Sequence, residues 1–575
     1  MTRRTSTAPL ATLALMLAAG TLTTTSLALP ARALAAQAGQ QDAQNELKAP
    51  KNDKDNDKDK AKDKDVTAGP SSSGIARGDF DNDGFGDLAV GVPLEGFGTS
   101  QQAGGVNVIY GTADGLRATG NQFWQQGASG VPGLSETGDQ FGRSLASGDF
   151  NHDGFSDLAI GAPFEDTIGA LVDAGQVTVL FGSATGLTAA GAQTLLSPSP
   201  DAGARFGWSL AWGDFVGTAA VADLAVAAPR YTGGGAEERG FVTLYTGTPG
   251  EGLSYRQSIF QNDFKSAVES NLEDAFDRFG ETLAAGDFNA DRHSDLAIGV
   301  PHKNLHGRVN AGMVYISHSL INSLSTSSVS FRRLQQSIGD RYADETGDLF
   351  GAAMAAGDFD ADGYQDLAVG IPGEDLGGGA DAVGPFEGSR IINTGMVMVY
   401  GGSDGGLSTF GRRAWGQPAT SSADETGDAF GSSLAAADFN GNGAADLAIG
   451  APFEDVSSGG TTVVDAGAVF VLNDVGIPIV STQLWHQNQG WGSGTTNPND
   501  HFGQTLTAWN FGHGAQADLA IGIPGEDIAG LPDVGMVQVL YGTGAGLSTP
   551  GNQFWNQFLI RGTAEAFDSF GLALY

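Results

Sequence analysis

Cysteine is absent from all 575 residues, so no disulfide bond can stabilise this chain. Basic residues are scarce, because 29 Lys and Arg stand against 66 Asp and Glu and give a formal net charge of -37 at pH 7. That charge disfavours nucleic acid and anionic membranes as partners. The eight histidines recur at no common position, which argues against a catalytic triad or a zinc centre.

The sequence also lacks a long apolar run beyond its first residues, so we expect no transmembrane segment. Residues 1–35 combine a basic start, an Ala- and Leu-rich stretch and Ala-x-Ala sites, which predicts a secretory signal peptide. Residues 36–70 are rich in Lys, Asp, Asn and Gln, which is typical of a disordered charged linker. We therefore predict a secreted, extracellular protein with one globular region over residues 71–575. Association with the cell envelope is an alternative.

A repeat organises that globular region. Seven Asp-Phe or Asn-Phe pairs recur at intervals of 65 to 80 residues, by subtraction of their positions. The pairs begin at Asp79, Asp149, Asp214, Asp287, Asp358, Asp438 and Asn510. An Asp-Leu-Ala sequence follows each pair and begins at Asp87, Asp157, Asp223, Asp295, Asp366, Asp446 and Asp518. A fixed period of this kind is typical of a repeat architecture.

Each repeat contains four strand signals. In the second repeat, residues 141–150 lead into the acidic loop and residues 158–163 leave it, while residues 175–182 alternate apolar and polar side chains. A less regular fourth segment follows a Gly-Leu turn. Four antiparallel strands in each of seven units predict an all-β fold, a seven-bladed β-propeller of four-stranded antiparallel blades.

The acidic loop has the donor spacing of a calcium site. Carboxylates alternate at Asp358, Asp360 and Asp362, Gly363 permits a sharp bend, and Asp366 closes the run. With the backbone carbonyl of Tyr364, these groups offer five oxygens to a hard cation. Calcium accepts such a shell more readily than magnesium does.

Five of the seven loops carry such a ligand set. Three are complete: Asp79, Asp81, Asp83, Phe85 and Asp87; Asp149, Asn151, Asp153, Phe155 and Asp157; and the Asp358 set with Tyr364. Two are altered: Asp287, Asn289, Asp291, His293 and Asp295, in which Arg292 replaces the turn glycine; and Asp438, Asn440, Asn442, Ala444 and Asp446, which holds only two acids. The Asp214 and Asn510 loops have lost the ligands. We expect Ca²⁺ in the first three loops, weaker binding in the next two and none in the last two.

Phe141-Gly142 with Gly161-Ala-Pro163, and Phe430-Gly431 with Gly450-Ala-Pro452, resemble the FG-GAP repeat of integrin α-subunit propellers. The resemblance covers residues 71–575. It implies a seven-bladed propeller with calcium in the loops between the first and second strands. The first repeat lacks a Phe-Gly start, while the chain ends on one at Phe570-Gly571. We therefore predict that this last stretch completes the first blade.

The opposite side of such a propeller is also rich in acids. They are Glu165-Asp166, Glu374-Asp375, Glu454-Asp455, Glu526-Asp527, Glu136, Asp139, Glu345, Asp348, Glu425 and Asp428. This side is a candidate ligand surface for a basic or cation-bridged partner. Alternatively, these acids cap turns.

Three functions remain open. The first is a non-catalytic ligand-binding or adhesion module, with an unknown extracellular protein or glycan as its partner. The second is a calcium-dependent propeller hydrolase of the phytase or phospholipase-associated type. The third is a structural envelope protein. The sequence favours the first, because it reveals neither an open metal site nor a separate catalytic domain, and we expect a monomer.

Overall fold

The computed structural model describes most of the repeat region, so the signal-peptide and linker predictions lie outside the described residues. The description covers residues 78–575 except 168–170, 217–220, 234–236, 266–272, 319–330, 337–343, 376–391, 410–411, 418–425, 459, 474, 476–480 and 490–495. No α-helix in these residues has the length and apolar character that a membrane crossing needs.

Seven four-stranded antiparallel sheets make up the described chain, as the repeat predicts. Blades 2 to 5 each run from an inner strand to an outer strand in chain order. Blade 2 contains Ser144–Gly148, Asp157–Ala162, Gln176–Phe181 and Thr188–Leu196. Blade 3 contains Leu210–Gly213, Asp223–Ala228, Phe241–Thr248 and Gly252–Ile259. Blade 4 contains Thr282–Gly286, Asp295–Val300, Met313–Ser317 and Phe331–Leu334. Blade 5 contains Ala353–Gly357, Asp366–Ile371, Met396–Tyr400 and Arg413–Gly416.

Blades 6 and 7 follow the same order, and blade 1 takes one strand from the end of the chain. Blade 6 contains Ser433–Ala437, Asp446–Ala451, Ala468–Asn473 and Ser481–Trp485, and carries a small hairpin of Val456–Ser458 and Thr461–Val463. Blade 7 contains Thr505–Trp509, Asp518–Ile523, Met536–Thr543 and Gly546–Trp555. Blade 1 contains Ala573–Leu574, Leu88–Val92, Gly105–Tyr110 and Arg117–Trp124. The described helices are short: Gln557–Arg561 is α-helical, and Gln261–Phe264 and Gln487–Gln489 are 3₁₀ turns.

The last residues of the sequence close the ring, as predicted. Ala573 and Leu574 pair antiparallel with Gly91 and Val90. The same short strand lies between the inner strands of blades 2 and 7, and each other inner strand contacts the next one around the ring. The inner strand of blade 1 therefore comes from the opposite end of the chain, and the described sheets form a continuous circle.

The hydrophobic core lies between neighbouring blades. Val90 of blade 1 packs in one buried cluster with Val537 and Val539 of blade 7, and every other cluster likewise combines adjacent blades. Alternate residues of each second and third strand face the blade before and the blade after. These strands are therefore buried on both sides, and all six residues of Asp366–Ile371 are buried. The inner strands enclose a cavity of about 320 Å³ lined mainly by Leu, Ala, Met and aromatic side chains.

The repeated glycines mark the closest approach between blades. A Cβ atom at Gly370 would lie 2.1 Å from the carbonyl oxygen of Gly431 in the next blade. The pairs Gly91 with Gly142, Gly161 with Gly207, Gly299 with Gly351, Gly450 with Gly503, and Gly522 with Gly571 show the same contact at 2.1 to 2.6 Å. Only glycine fits there, which explains why both halves of the motif contain it.

We expect Gly370→Ala to destabilise the protein by about 2–3 kcal/mol, because the added methyl group must push two blades apart. Thermal unfolding measures this effect. Gly544→Ala is the matched control, since no heavy atom lies within 4 Å of a Cβ built there and the backbone is not in the left-handed region. Equal melting temperatures for the two variants would contradict the proposed contact.

Candidate metal-binding loops and the opposite face

Two sets of loops share one face of the propeller. In blade 1, the loop that precedes the second strand ends at Asp87, whose Oδ1 accepts a hydrogen bond from the backbone N–H of Gly111 in the turn between the third and outer strands, at 2.9 Å. We call this side the loop face. The connections between second and third strands, and between one blade's outer strand and the next inner strand, lie on the opposite face.

In blade 1 the loop backbone wraps around its first carboxylate. The N–H groups of Asp83 and Gly84 donate to the two oxygens of Asp79 at 3.0 and 2.9 Å. Gly84 has a φ of 98°, which glycine adopts without strain. One oxygen each of Asp79, Asp81 and Asp87 lies within 4.8 Å of the others. The turn therefore brings three acids together from a nine-residue stretch.

Blade 5 repeats this arrangement. The N–H groups of Asp362 and Gly363 donate to Asp358 at 3.1 and 3.0 Å. One oxygen each of Asp358, Asp360 and Asp366 lies within 4.8 Å of the others. Each carboxylate oxygen can accept more than one interaction, so these hydrogen bonds leave room for a cation. Three converging carboxylates in a small loop are the donor set that calcium prefers.

The electrostatics of these clusters favour a cation. Burial, together with the nearby charges of Asp83 and Asp81, raises the pKa of Asp79 to about 6. Burial and the charges of Asp362 and Asp360 likewise raise the pKa of Asp358. A bound Ca²⁺ would offset both the lost hydration and the mutual repulsion.

The predicted backbone ligands occupy one common position in all five loops. The N–H of each donates to the side-chain oxygen of the residue two positions earlier, at 2.8 to 3.1 Å. These residues are Phe85, Phe155, His293, Tyr364 and Ala444. The five loops therefore share one turn, whether the middle ligand is Asp or Asn.

The asparagine-containing loops differ in charge rather than in shape. In blade 2, Asp149 accepts from the N–H groups of Asp153 and Gly154, as its counterparts do. In blades 4 and 6, the amide nitrogen of Asn289 or Asn440 faces the closing aspartate, at 3.5 and 3.1 Å. A cation there would require the amide to turn its oxygen inward, which is consistent with the expectation of weaker binding.

Arg292 does not abolish the turn in blade 4. Its φ is 75°, a region that favours glycine, and its N–H still donates to Asp287 Oδ2 at 2.9 Å. The loop therefore keeps its geometry at some backbone strain. The side chain of the closing residue Asp295 also contacts His318 Nδ1 at 2.9 Å, a contact that the repeat pattern does not reveal.

The closing aspartate has a structural role that the sequence analysis missed. Asp518 in blade 7 accepts from the N–H groups of Phe511 and Gly542 at 2.8 and 2.9 Å, although its loop lacks the other acids. Asp223 in blade 3 does the same with Phe215 and Gly247. The carboxylate therefore joins the two turns of the loop face independently of metal. Its recurrence in the two loops without other ligands was the available signal.

We expect Asp518→Asn to destabilise the protein without changing its calcium content. The amide nitrogen cannot accept, so one buried N–H group loses its partner at a cost of about 1–3 kcal/mol. Thermal unfolding and calcium analysis of the purified chain measure the two effects. Asp87→Asn is the matched variant and should lose both stability and calcium. A loss of calcium in Asp518→Asn would contradict the separation of roles.

The acids of the opposite face are mostly caps and buried groups. Glu165, Glu374, Glu454 and Glu526 are buried, as are Asp139, Asp348 and Asp428. The second acid of each pair closes its own loop, for example Asp166 Oδ1 with the N–H of Asp173 at 2.9 Å and Asp375 Oδ1 with the N–H of Asn393 at 2.7 Å. Glu425 lies outside the described residues. The alternative reading, that these acids cap turns, is therefore the better description of most of them.

Exposed apolar side chains distinguish the opposite face instead. Nine of the eleven large hydrophobic residues exposed in the described chain lie in its connections. They are Leu134, Val172, Phe276, Val309, Ile392, Phe453, Val464, Leu559 and Phe567. The other two, Leu196 and Tyr255, lie on outer strands. No loop-face connection in the described chain exposes such a residue.

Four of these residues occupy the same position in their blades. Val172, Val309, Ile392 and Val464 each precede a residue with positive φ, and each carbonyl accepts an N–H from the connection that follows the outer strand of the same blade. Their exposed fractions are 57%, 53%, 47% and 50%. We call these four residues the apolar rim. Single aliphatic residues spaced far apart in the sequence gave no signal of this pattern.

Comparison with known proteins agrees with the architecture. The FG-GAP repeat family matches residues 72–109, 141–180, 279–317, 350–384 and 430–472. These segments belong to blades 1, 2, 4, 5 and 6. The two blades outside the match, 3 and 7, are those whose loops lack the acidic ligand set.

Two named groups of proteins contain similar sequences. Phosphatidylinositol-glycan-specific phospholipase D of Mus musculus is 29% identical over 418 residues, which cover 69% of this chain and 45% of that protein. The Bos taurus protein is 32% identical over 187 residues, covering 32% of this chain and 20% of that protein. Integrin alpha-8 of Homo sapiens is 28% identical over 222 residues, covering 38% and 17%. The chain therefore spans less than half the length of each of these relatives.

Proposed function

We propose that this chain, an integrin-like FG-GAP β-propeller, is a secreted, calcium-binding and non-catalytic module that binds an extracellular protein or glycan through its opposite face. The apolar rim is the observation that carries this proposal. Exposed apolar side chains concentrated on one face are costly in water, and they are typical of interaction surfaces. The rest of the propeller is a rigid support that fixes their spacing.

Calcium has a structural part in this proposal. The candidate ligands in blades 1 and 5 all come from the protein, and they lie on the face away from the apolar rim. A cation there would neutralise buried carboxylates and stiffen the turns without contacting the ligand. Loss of calcium should therefore weaken binding only through loss of the fold.

The apolar rim can be tested with one triple variant. We expect Val309→Ser/Ile392→Ser/Val464→Ser to reduce binding at least tenfold on an array of extracellular matrix proteins and glycans, because three apolar contacts are removed. Tyr255→Ser is the control, since Tyr255 is equally exposed, at 55%, but lies on an outer strand. Both variants should melt near the parent temperature. Unchanged binding by the folded triple variant would contradict the proposed surface.

A second candidate function is a part in phospholipid-glycan hydrolysis. The similarity to proteins named phosphatidylinositol-glycan-specific phospholipase D favours it, because it extends over 69% of this chain. An assay of the full chain for release of glycan-anchored protein from vesicles, with calcium present, separates the two functions. Turnover would support the hydrolase; binding to such vesicles without turnover would support the binding module.

A further inference from the structure

A buried polar group recurs where neighbouring blades meet. At the junction between blades 4 and 5, the side chain of Gln336 donates to Glu374 Oε2 at 2.5 Å. Asp348 lies beside this pair, and its Oδ2 accepts from the N–H of Glu345 at 2.5 Å. All three side chains are at least 92% buried. We call a Gln–Glu–Asp set of this kind a junction triad.

The junctions between blades 1 and 2 and between blades 6 and 7 repeat it. Gln126 donates to Glu165 at 2.7 Å and Gln487 donates to Glu526 at 2.6 Å. The third members are Asp139 and Asp500, which accept from the N–H groups of Glu136 and Asn497. The junction between blades 5 and 6 has the same residue types, with Gln417 donating to Glu454 Oε2 at 2.5 Å and Asp428 in the third position. In each triad the glutamine stands two residues after the last apolar residue of an outer strand, and the glutamate stands two residues after the repeated proline.

Among the described residues, each of the triads at the 1/2, 4/5 and 6/7 junctions holds two acids and no base. The carboxylates of Glu165, Asp139, Glu374, Asp348, Glu526 and Asp500 form no salt bridge with any residue in the described part of the chain. Burial and the neighbouring acids raise the pKa of Asp348 to about 7 and that of Asp500 to about 8. Two adjacent buried carboxylates without a counter-charge are strongly unfavourable.

Unpartnered oxygens accompany the acids. Gln336 Oε1 and Asp348 Oδ1 have no hydrogen-bond partner among the described residues, and both side chains are fully buried. Three further oxygens of the triads are buried and unpartnered among the described residues: Gln126 Oε1, Gln487 Oε1 and Asp500 Oδ1. In each case the unpartnered amide oxygen belongs to the glutamine whose nitrogen donates to the glutamate. The two carboxylates of each triad therefore offer oxygen atoms to a positively charged group.

Two other junctions show what fills this position. Between blades 3 and 4, Lys303 stands where the others have glutamate, and its Nζ lies 2.7 Å from Asp277 Oδ2 and 2.8 Å from Asp274 Oδ2. Between blades 7 and 1, Arg561 lies 2.8 Å from Glu95, whose other oxygen accepts from Gln557. In both cases the chain itself supplies a cation to the buried acids. Gln261 Oε1 and Gln557 Oε1 have no partner even there among the described residues, so the carboxylates rather than the amide oxygen mark the position of the cation.

The junction between blades 2 and 3 loses the whole set together. Ser197, Tyr231 and Ala204 occupy the positions of the glutamine, glutamate and aspartate. Since none of the three positions holds an acid, this junction needs no counter-charge. The three residues are far apart in the sequence, so their joint replacement indicates that the triad works as one unit.

We propose that the junction triads at blades 1/2, 4/5 and 6/7 each bind a hard divalent cation between their two carboxylates. The charge of two carboxylates matches a divalent ion, and an all-oxygen donor set suits Ca²⁺ rather than a transition metal. The ion links the outer strand of one blade to two connections on the next. These sites lie on the opposite face and are separate from the acidic loops.

The test counts bound calcium by equilibrium dialysis of the full chain at saturating calcium. Glu374→Lys copies the Lys303 junction and should remove one equivalent of Ca²⁺ while keeping the melting temperature in chelator at or above that of the parent. The double variant Glu374→Gln/Asp348→Asn keeps the size and shape of both side chains and should also lose one equivalent of Ca²⁺. Lys303→Glu, which completes a triad with Gln261 and Asp277, should gain one.

Tyr231→Lys is the matched control, because that junction has no acids; it should lower the melting temperature and leave the calcium count unchanged. An unchanged count in the folded Gln/Asn variant would overturn the proposal and leave a proton shared between the two acids as the explanation. The acidic loops are intact in every variant. A negative result would therefore contradict only the junction sites and not the proposed calcium binding by the loops.

Discussion

Chelation with EDTA is expected to lower the melting temperature of the full chain, and added calcium is expected to restore it. A site held at 100 times its Kd stabilises the folded state by about 2.7 kcal/mol, so the two loops with converging carboxylates together contribute about 5 kcal/mol. Without the ion, the buried and mutually repelling acids of blades 1 and 5 oppose folding. Differential scanning calorimetry with and without calcium measures the effect.

The size of this calcium effect should depend on pH. In the metal-free protein the folded-state pKa of Asp79 is raised to about 6, above its ordinary value of 3.8, so the folded state binds its proton more tightly. This contribution to stability is complete below pH 3.8 and is lost as the pH rises through about 6. In EDTA, stability should therefore fall over this range, whereas calcium should stabilise most above pH 6, where protons no longer compete.

Asp81→Asn/Asp360→Asn is the matched variant for the calcium experiment. Each change replaces one of three converging carboxylates but keeps the hydrogen-bond acceptor that holds the turn. The variant should melt near the parent in EDTA and gain much less from calcium. An equal calcium response in parent and variant would show that the stabilising ions bind elsewhere.

Deletion of residues 572–575 is the second change with a large expected effect. These residues supply the inner strand of blade 1, so their loss exposes the edge of Leu88–Val92 and opens the ring between blades 2 and 7. We expect loss of a single cooperative unfolding transition and the appearance of aggregates, because unpaired strand edges associate. Calorimetry and size-exclusion chromatography measure the two outcomes.

Tyr575→Phe is the control for that deletion. It removes the 3.1 Å hydrogen bond from the Tyr575 hydroxyl to the Ser147 carbonyl but keeps the backbone pairing with Ala89. Its cost should be about 1 kcal/mol. A monomeric, cooperatively folding deletion variant would show that the ring does not depend on this strand.

The sequence was sufficient for the architecture because the repeat carries local signals. The Asp-Phe pair, the Asp-Leu-Ala strand and the Phe-Gly start lie within 20 residues of one another, so one repeat reveals the loop and its two strands. The closure could also be predicted, since Phe570-Gly571 begins a repeat that blade 1 lacks. The same short-range signals placed the five candidate calcium loops, and the structure brings the acids of blades 1 and 5 together.

The remaining features depend on contacts between blades, which local patterns do not reveal. Gln336, Asp348 and Glu374 come from three segments and meet only when blade 5 packs on blade 4. The acids of the opposite face were predicted to form a ligand surface, because the sequence could not show that Glu374 and Asp348 are buried. The apolar rim was missed for the converse reason, since an isolated Val309 in a loop gives no sign of its exposure.

Anomalous diffraction from crystals grown with calcium locates the bound ions directly. We expect calcium peaks between the carboxylates of Asp79, Asp81 and Asp87 in blade 1 and of Asp358, Asp360 and Asp366 in blade 5, with no peak in the loops of blades 3 and 7. Density for a closed seven-bladed ring without calcium in the blade 1 and blade 5 loops, at saturating calcium, would contradict the proposed calcium binding.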